Sequence, residues 1–170
     1  MCGSVELRTV YVGAQQVKTV LISRLSCERA GTRFNVRGIN DEGHVANFVE
    51  TEQLIYFDDI VSSFVQVRGT LPVFWHQASI PGGRVTLSRG FECSHPAFER
   101  HGERLVAQYG EQLLLNLLST RAGTDDQLLT EAYQDHVQQS GFKEHLTLLN
   151  FDYHHHISCL LYTSPSPRDS

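Results

Sequence analysis

The chain is short of positive charge. Its 170 residues include 14 lysines and arginines against 19 aspartates and glutamates, a formal charge of −5, and its pI is about 6.0. A dedicated nucleic-acid binder is expected to be basic, so the balance argues against one. Long hydrophobic runs are also missing, and no stretch approaches the ~20 apolar residues of a bilayer-spanning helix. The start, Met1-Cys2-Gly3-Ser4-Val5-Glu6, has neither the basic n-region nor the apolar h-region of a signal peptide. Cys2, Cys27, Cys93 and Cys159 are widely spaced with no CxxC pair. That argues against a disulfide framework or zinc knuckle and suits a reducing, cytoplasmic compartment. GxSxG, HExxH, GxxxxGKS and GxGxxG do not occur, nor do internal repeats or a linker.

What is present is an ordinary globular composition, 41% hydrophobic and 19% charged, long enough for one domain with a core. The first half reads as strands and turns. Val5–Val12 alternates like a strand already under way, so Met1 is expected to be internal. Val17–Ile22 is β-branched and apolar. Residues 32–37 alternate, Asn40-Asp41-Glu42-Gly43 supplies turn chemistry, and residues 44–57 follow, which together predict a hairpin. Ser62–Arg68 is a further strand, closed by Gly69 and Pro72.

The period then changes. Ser94 is placed to cap a helix over 96–109 that carries Phe98, Leu105 and Tyr109 on one face and ends at Gly110. Leu113–Leu118 reads as a buried strand. Thr124-Asp125-Asp126-Gln127 fits a capping box, after which Leu129, Ala132, Tyr133, His136 and Val137 line one helical face. Leu146–Tyr153 is another strand. The expected class is α/β: a β-rich first half with a hairpin, then β-α-β-α-β as part of a mixed or parallel sheet.

Arg24, Arg29, Arg33, Arg37 and Arg68 could face an anionic ligand, because guanidinium groups grip phosphate bidentately. The competing role for Arg33, which the pattern favours, is pairing with Glu50 and Glu52. His154-His155-His156 alternates sides on a strand and chelates badly as one site. Cys93-x-His95 with His101 is an equally weak zinc pattern. Cys27 stands beside Glu28 and Arg29 and is read as structural, since a reactive thiolate needs a positive pocket or a helix N-terminus.

Leu25-Ser26-Cys27-Glu28-Arg29-Ala30-Gly31-Thr32-Arg33-Phe34-Asn35-Val36-Arg37-Gly38, followed by Gly43-His44-Val45-Ala46-Asn47-Phe48-Val49-Glu50-Thr51-Glu52-Gln53, resembles the signature of Sac-domain phosphoinositide phosphatases. Residues 63–75, Ser88-Arg89-Gly90-Phe91-Glu92 and Asn150-Phe151-Asp152-Tyr153-His154 resemble further blocks of that family, so the likeness runs over 2–155. His76, where the family usually has Glu, and Cys93-Ser94-His95 depart from it.

The resemblance implies a hydrolase of lipid metabolism that needs no metal or other cofactor and removes phosphate from phosphatidylinositol phosphates. Its partners would be phosphoinositide headgroups, met at the membrane surface from the cytoplasm without a transmembrane segment. In the family a cysteine nucleophile and an arginine lie in a Cys-x5-Arg loop after the last block. No catalytic residue is therefore assigned here, and the chain alone is expected to be inactive. Asp152, His154 and Arg37 are the expected substrate-binding residues. Asp152 and His154 share one face at the C-terminal end of the last strand, where open α/β sheets bind ligands. The alternative is a non-catalytic phosphoinositide-binding or scaffold module. Residues 159–170 resemble the translation of a sequencing adapter and are set apart, leaving 1–158 as a partial Sac domain.

Overall fold

The structure is a computed structural model that describes residues 2–31, 36–78, 83–119 and 121–153. The chain begins with four antiparallel strands in sequence order: β1 (Cys2–Val12), β2 (Gln15–Leu25), β3 (Val49–Phe57) and β4 (Ile60–Arg68). Both outer connections are tight. Val12 pairs with Gln15 and Phe57 with Ile60, leaving two-residue loops whose first residues, Gly13 and Asp58, have φ of 64° and 50°. Left-handed residues in such loops match the twist of the flanking strands.

β3 pairs with β2 on one side, from Val49 to Tyr56, and with β4 on the other. The predicted hairpin is therefore displaced. The Asn40–Gly43 turn forms, but it closes only the isolated bridge Ile39–Val45, and residues 44–48 are not strand. The reason lies at Gly38, whose φ is +66° and whose missing Cβ would stand 2.4 Å from the Val73 carbonyl oxygen. The chain turns into the core there, and Ile39 N–H donates to Val73 O at 3.1 Å.

Two short antiparallel strands follow, β5 (Trp75–Gln77) and β6 (Val85–Leu87). Then come α1 (Phe91–Tyr109), β7 (Gln112–Asn116), α2 (Asp125–Gln139), a 3-10 turn at Lys143–His145 and β8 (Leu146–Asn150). β7 and β8 run parallel with α2 as their crossover, so this half is α/β as the change of period implies. α1 starts a turn earlier than Ser94. Its N-cap is Gly90, and the buried Ser94 hydroxyl instead donates to Gly90 O at 2.9 Å. Phe91 gains from that extra turn by stacking on His95 and His136, with centroids 4.8 and 4.5 Å away. α2 is capped as predicted, the Thr124 hydroxyl accepting from Gln127 N–H.

The core sits outside the four-stranded sheet. Phe98, Tyr133, Val137 and Leu146 join α1, α2 and β8. Val73, Val85 and Leu129 join the second sheet to α2. Ile39, Val45, Phe74 and Ala97 seat the 39–45 turn on α1.

Candidate functional site

The parallel pair sets the geometry of the candidate site. Beyond the carboxyl ends of β7 and β8 lie the loop 117–123 and residues 151–153, with the N-terminus of α2 beside them. Crevices of this kind are where open α/β sheets hold ligands. Asn116, 3% exposed at the end of β7, organises it. Its side-chain amide donates to Thr130 Oγ1 at 3.0 Å and to Asn150 Oδ1 at 2.9 Å, and its side-chain oxygen accepts from Leu118 N–H at 3.2 Å. The Asn116 carbonyl accepts from Phe151 N–H at 2.8 Å. Sequence reasoning missed this residue, although a lone amide inside the apolar run Leu113–Leu118 was a usable signal.

Ser119 then ties the crevice together. Its N–H donates to Asp126 Oδ2 at 3.0 Å, and its hydroxyl donates to Asp152 Oδ2 at 3.1 Å. Asp152 is half-buried and lies just past β8, which ends at Asn150, rather than on the strand that the sequence pattern extends to Tyr153. His154, with His155 and His156, lies outside the described residues.

Arg37 sits in irregular backbone rather than on a strand. Its guanidinium stacks on Trp75, 5.5 Å from the ring centroid. Trp75 packs against the Val73–Val85–Leu129 cluster, and Leu118, next to Ser119, packs against the same cluster. Arg29 is the neighbour of Arg37, its Nη2 donating to the Arg37 carbonyl at 2.9 Å. Burial lowers the pKa of Arg29, and Asp41 and Glu42 work against that shift.

The other arginines do not converge on this place. Arg24 donates to Glu50 at 2.7 Å and to Glu52 at 2.9 Å, and those hydrogen bonds, that to Glu52 first, raise its pKa. Arg24 is thus a partner of these carboxylates, because the β2–β3 register sets it opposite Glu50. Arg68 pairs with Val49 and so points to the opposite face of the sheet. Arg33 lies outside the described residues. Cys93, His95 and His101 also separate: Cys93 is exposed, His95 meets His136 Nδ1 at 3.1 Å, and His101 meets Gly43 O at 3.1 Å.

One spacing escaped the sequence reading. Cys27-Glu28-Arg29-Ala30-Gly31-Thr32-Arg33 is itself a cysteine followed after five residues by an arginine. The described part of its surroundings does not build a phosphate loop. Cys27 is exposed, Glu28 brings a carboxylate beside it, and the residues from Val36 to Phe48 contain no helix whose N-terminus could serve the thiolate. The exposure of Cys27 also removes it from any role in core packing.

The family follows from comparison with known proteins. The SacI homology domain matches residues 1–158. The chain belongs to the SacI homology domain family. It is 55% identical over 156 residues to human synaptojanin-1, which covers 91% of this chain but 10% of the relative. Caenorhabditis elegans synaptojanin is 48% identical over 155 residues, covering 91% of this chain and 14% of the relative. A polyphosphatidylinositol phosphatase of Saccharomyces cerevisiae is 40% identical over 156 residues, covering 89% and 14% respectively. The chain therefore spans between a tenth and a seventh of the length of these relatives.

Proposed function

We propose that this chain is the part of a phosphoinositide phosphatase that builds the wall of the headgroup site and does not carry the nucleophile. The observation that carries the reading is the SacI homology match over residues 1–158, shared with a relative named as a polyphosphatidylinositol phosphatase. The arrangement suits a split of labour. The Arg37 guanidinium can donate to phosphoryl oxygens. Asp152, a carboxylate, suits the hydroxyl groups of the inositol ring, because it accepts hydrogen bonds and repels phosphate. His154 completes the proposed set.

In this mechanism a cysteine thiolate from the family's Cys-x5-Arg loop attacks phosphorus. The P–O bond to the inositol breaks as the P–S bond forms, and the leaving oxygen takes a proton. Water then cleaves the phosphocysteine, releasing inorganic phosphate and regenerating the thiolate. No helix among the described residues is long and apolar enough to cross a membrane. The substrate would be met at the membrane surface from the cytoplasm.

The test is Asp152→Asn in a Sac domain that carries the catalytic loop. Turnover should fall more than about tenfold with the melting temperature nearly unchanged. Normal specific activity in a destabilised protein would make Asp152 a scaffold residue.

A further inference from the structure

Three buried N–H donors on contacting residues have no acceptor among the described residues. Arg29 Nε, Arg37 Nε and Trp75 Nε1 each lack a hydrogen-bond partner and are closed off from solvent at the atom itself. They are neighbours: Arg29 reaches the Arg37 carbonyl at 2.9 Å, and the Arg37 guanidinium lies over the Trp75 ring. Buried donors are nearly always paired, and each one left unpaired costs about 1–3 kcal/mol. Three in one place, two of them on cations, need an acceptor that is negative and has several lone pairs. All three residues are half-buried, so the donors lie beneath side chains that themselves reach the surface. Asp41 and Glu42 are the acidic residues that act on Arg29, and neither carboxylate is hydrogen-bonded to any of the three donors among the described residues. Asp41 is held by Arg89, and Glu50 and Glu52 by Arg24.

We propose that Arg29, Arg37 and Trp75 form an anion site for a phosphate monoester. Its use for a phosphoinositide headgroup rests on the reading given above, whereas the site itself does not. The two guanidinium groups supply charge and planar forks, and the indole supplies a third, neutral donor that holds the phosphoryl group in one orientation. Arg29 and Trp75 thereby join Arg37 as binding residues.

Trp75 is the only tryptophan in the chain, so its emission reports on the site directly. The 170-residue chain is titrated with inorganic phosphate, with short-chain phosphatidylinositol monophosphates and with vesicles carrying the same lipids, against chloride at equal ionic strength. A saturable change in Trp75 emission is expected. Arg37→Gln should weaken binding about tenfold or more, and Arg37→Lys, which keeps the charge but loses Nε and the fork, by nearly as much. Arg29→Gln should weaken it severalfold, and Arg8→Gln, on β1, should change nothing. Circular dichroism checks folding. If Arg37→Gln does not fold, Arg37→Lys and Arg29→Gln decide. Saturation by inorganic phosphate with no response to the lipids keeps the anion site and removes the phosphoinositide reading. No saturable response to any phosphate, or unchanged affinity in folded Arg37→Lys and Arg29→Gln, overturns the proposal.

Discussion

The two halves of this molecule are held by different forces. In the four-stranded meander only Val17 and Val49 are buried, and every residue of β1 is exposed. Val5, Leu7 and Tyr11 stand at 70–71% exposure, and Ile60 and Phe64 at 65% and 63%. The α/β half instead closes three apolar clusters around α1 and α2. Ladder hydrogen bonds give the meander its register, while burial gives the second half its stability. The end of α1 joins them on the sheet face that carries Arg24: Tyr109, and at 3.4 Å Gln108, donate to the same Glu50 that accepts from Arg24. Burial, and after it the bond to Glu50, raise the pKa of Tyr109 to about 12, so this link persists at any ordinary pH.

Substitution sharpens the contrast most. Phe98→Ala should cost about 3–5 kcal/mol, the usual range for a buried aromatic. Leu7→Ala, equally apolar but at 70% exposure, should cost less than about 0.5 kcal/mol. Denaturant melts of the two variants check this, and equal losses would break the comparison.

Acid offers a milder test. Burial, ahead of smaller charge effects, lowers the pKa of both His101 and His136 to about 4. Arg104 and His44 face the first, and His95, Asp135 and Glu99 the second. Folded protein keeps these rings neutral while the unfolded chain protonates near 6.5. Their contribution is complete above about pH 6.5 and is lost as pH falls toward 4. Arg24 and then Ser63 hold the pKa of Glu52 below its ordinary value, a shift of the same stabilising sign. The melting temperature should fall by about 5 °C between pH 7 and pH 4.5, and the α1–α2 interface should open before the meander. Amide exchange at both pH values checks the order, and an unchanged α1 would contradict it.

The same contrast explains what could be read from sequence. The strands of the meander announce themselves by alternation, and the Thr124–Gln127 cap announces α2. What failed was pairing. Residues 33–37 and 44–57 look like a hairpin because they are close in sequence, but β3 finds β2, where Arg24 meets Glu50 and Glu52 across a long loop. That loop exists because the chain turns into the core at Gly38, a long-range contact with Val73 and Trp75 that no local pattern encodes. At the site, Asp152 was chosen at the end of a strand drawn to Tyr153, and β8 stops at Asn150 because Phe151 N–H turns to the Asn116 carbonyl. Arg37 was chosen as a strand residue, whereas its own backbone is irregular and its guanidinium stacks on Trp75. The bridging role of Ser119 and the organising role of Asn116 depend on partners more than 30 residues away, Asp152 and Asn150.

The central claim, that this chain supplies a binding wall without the nucleophile, meets its most direct test in a phosphate-release assay. The purified 170-residue chain is incubated with each short-chain phosphatidylinositol phosphate, alongside Cys27→Ser. The account predicts no release above buffer from either protein. Release by the chain that Cys27→Ser abolishes would show that the Cys27–Arg33 spacing is a working phosphate loop, and would contradict it.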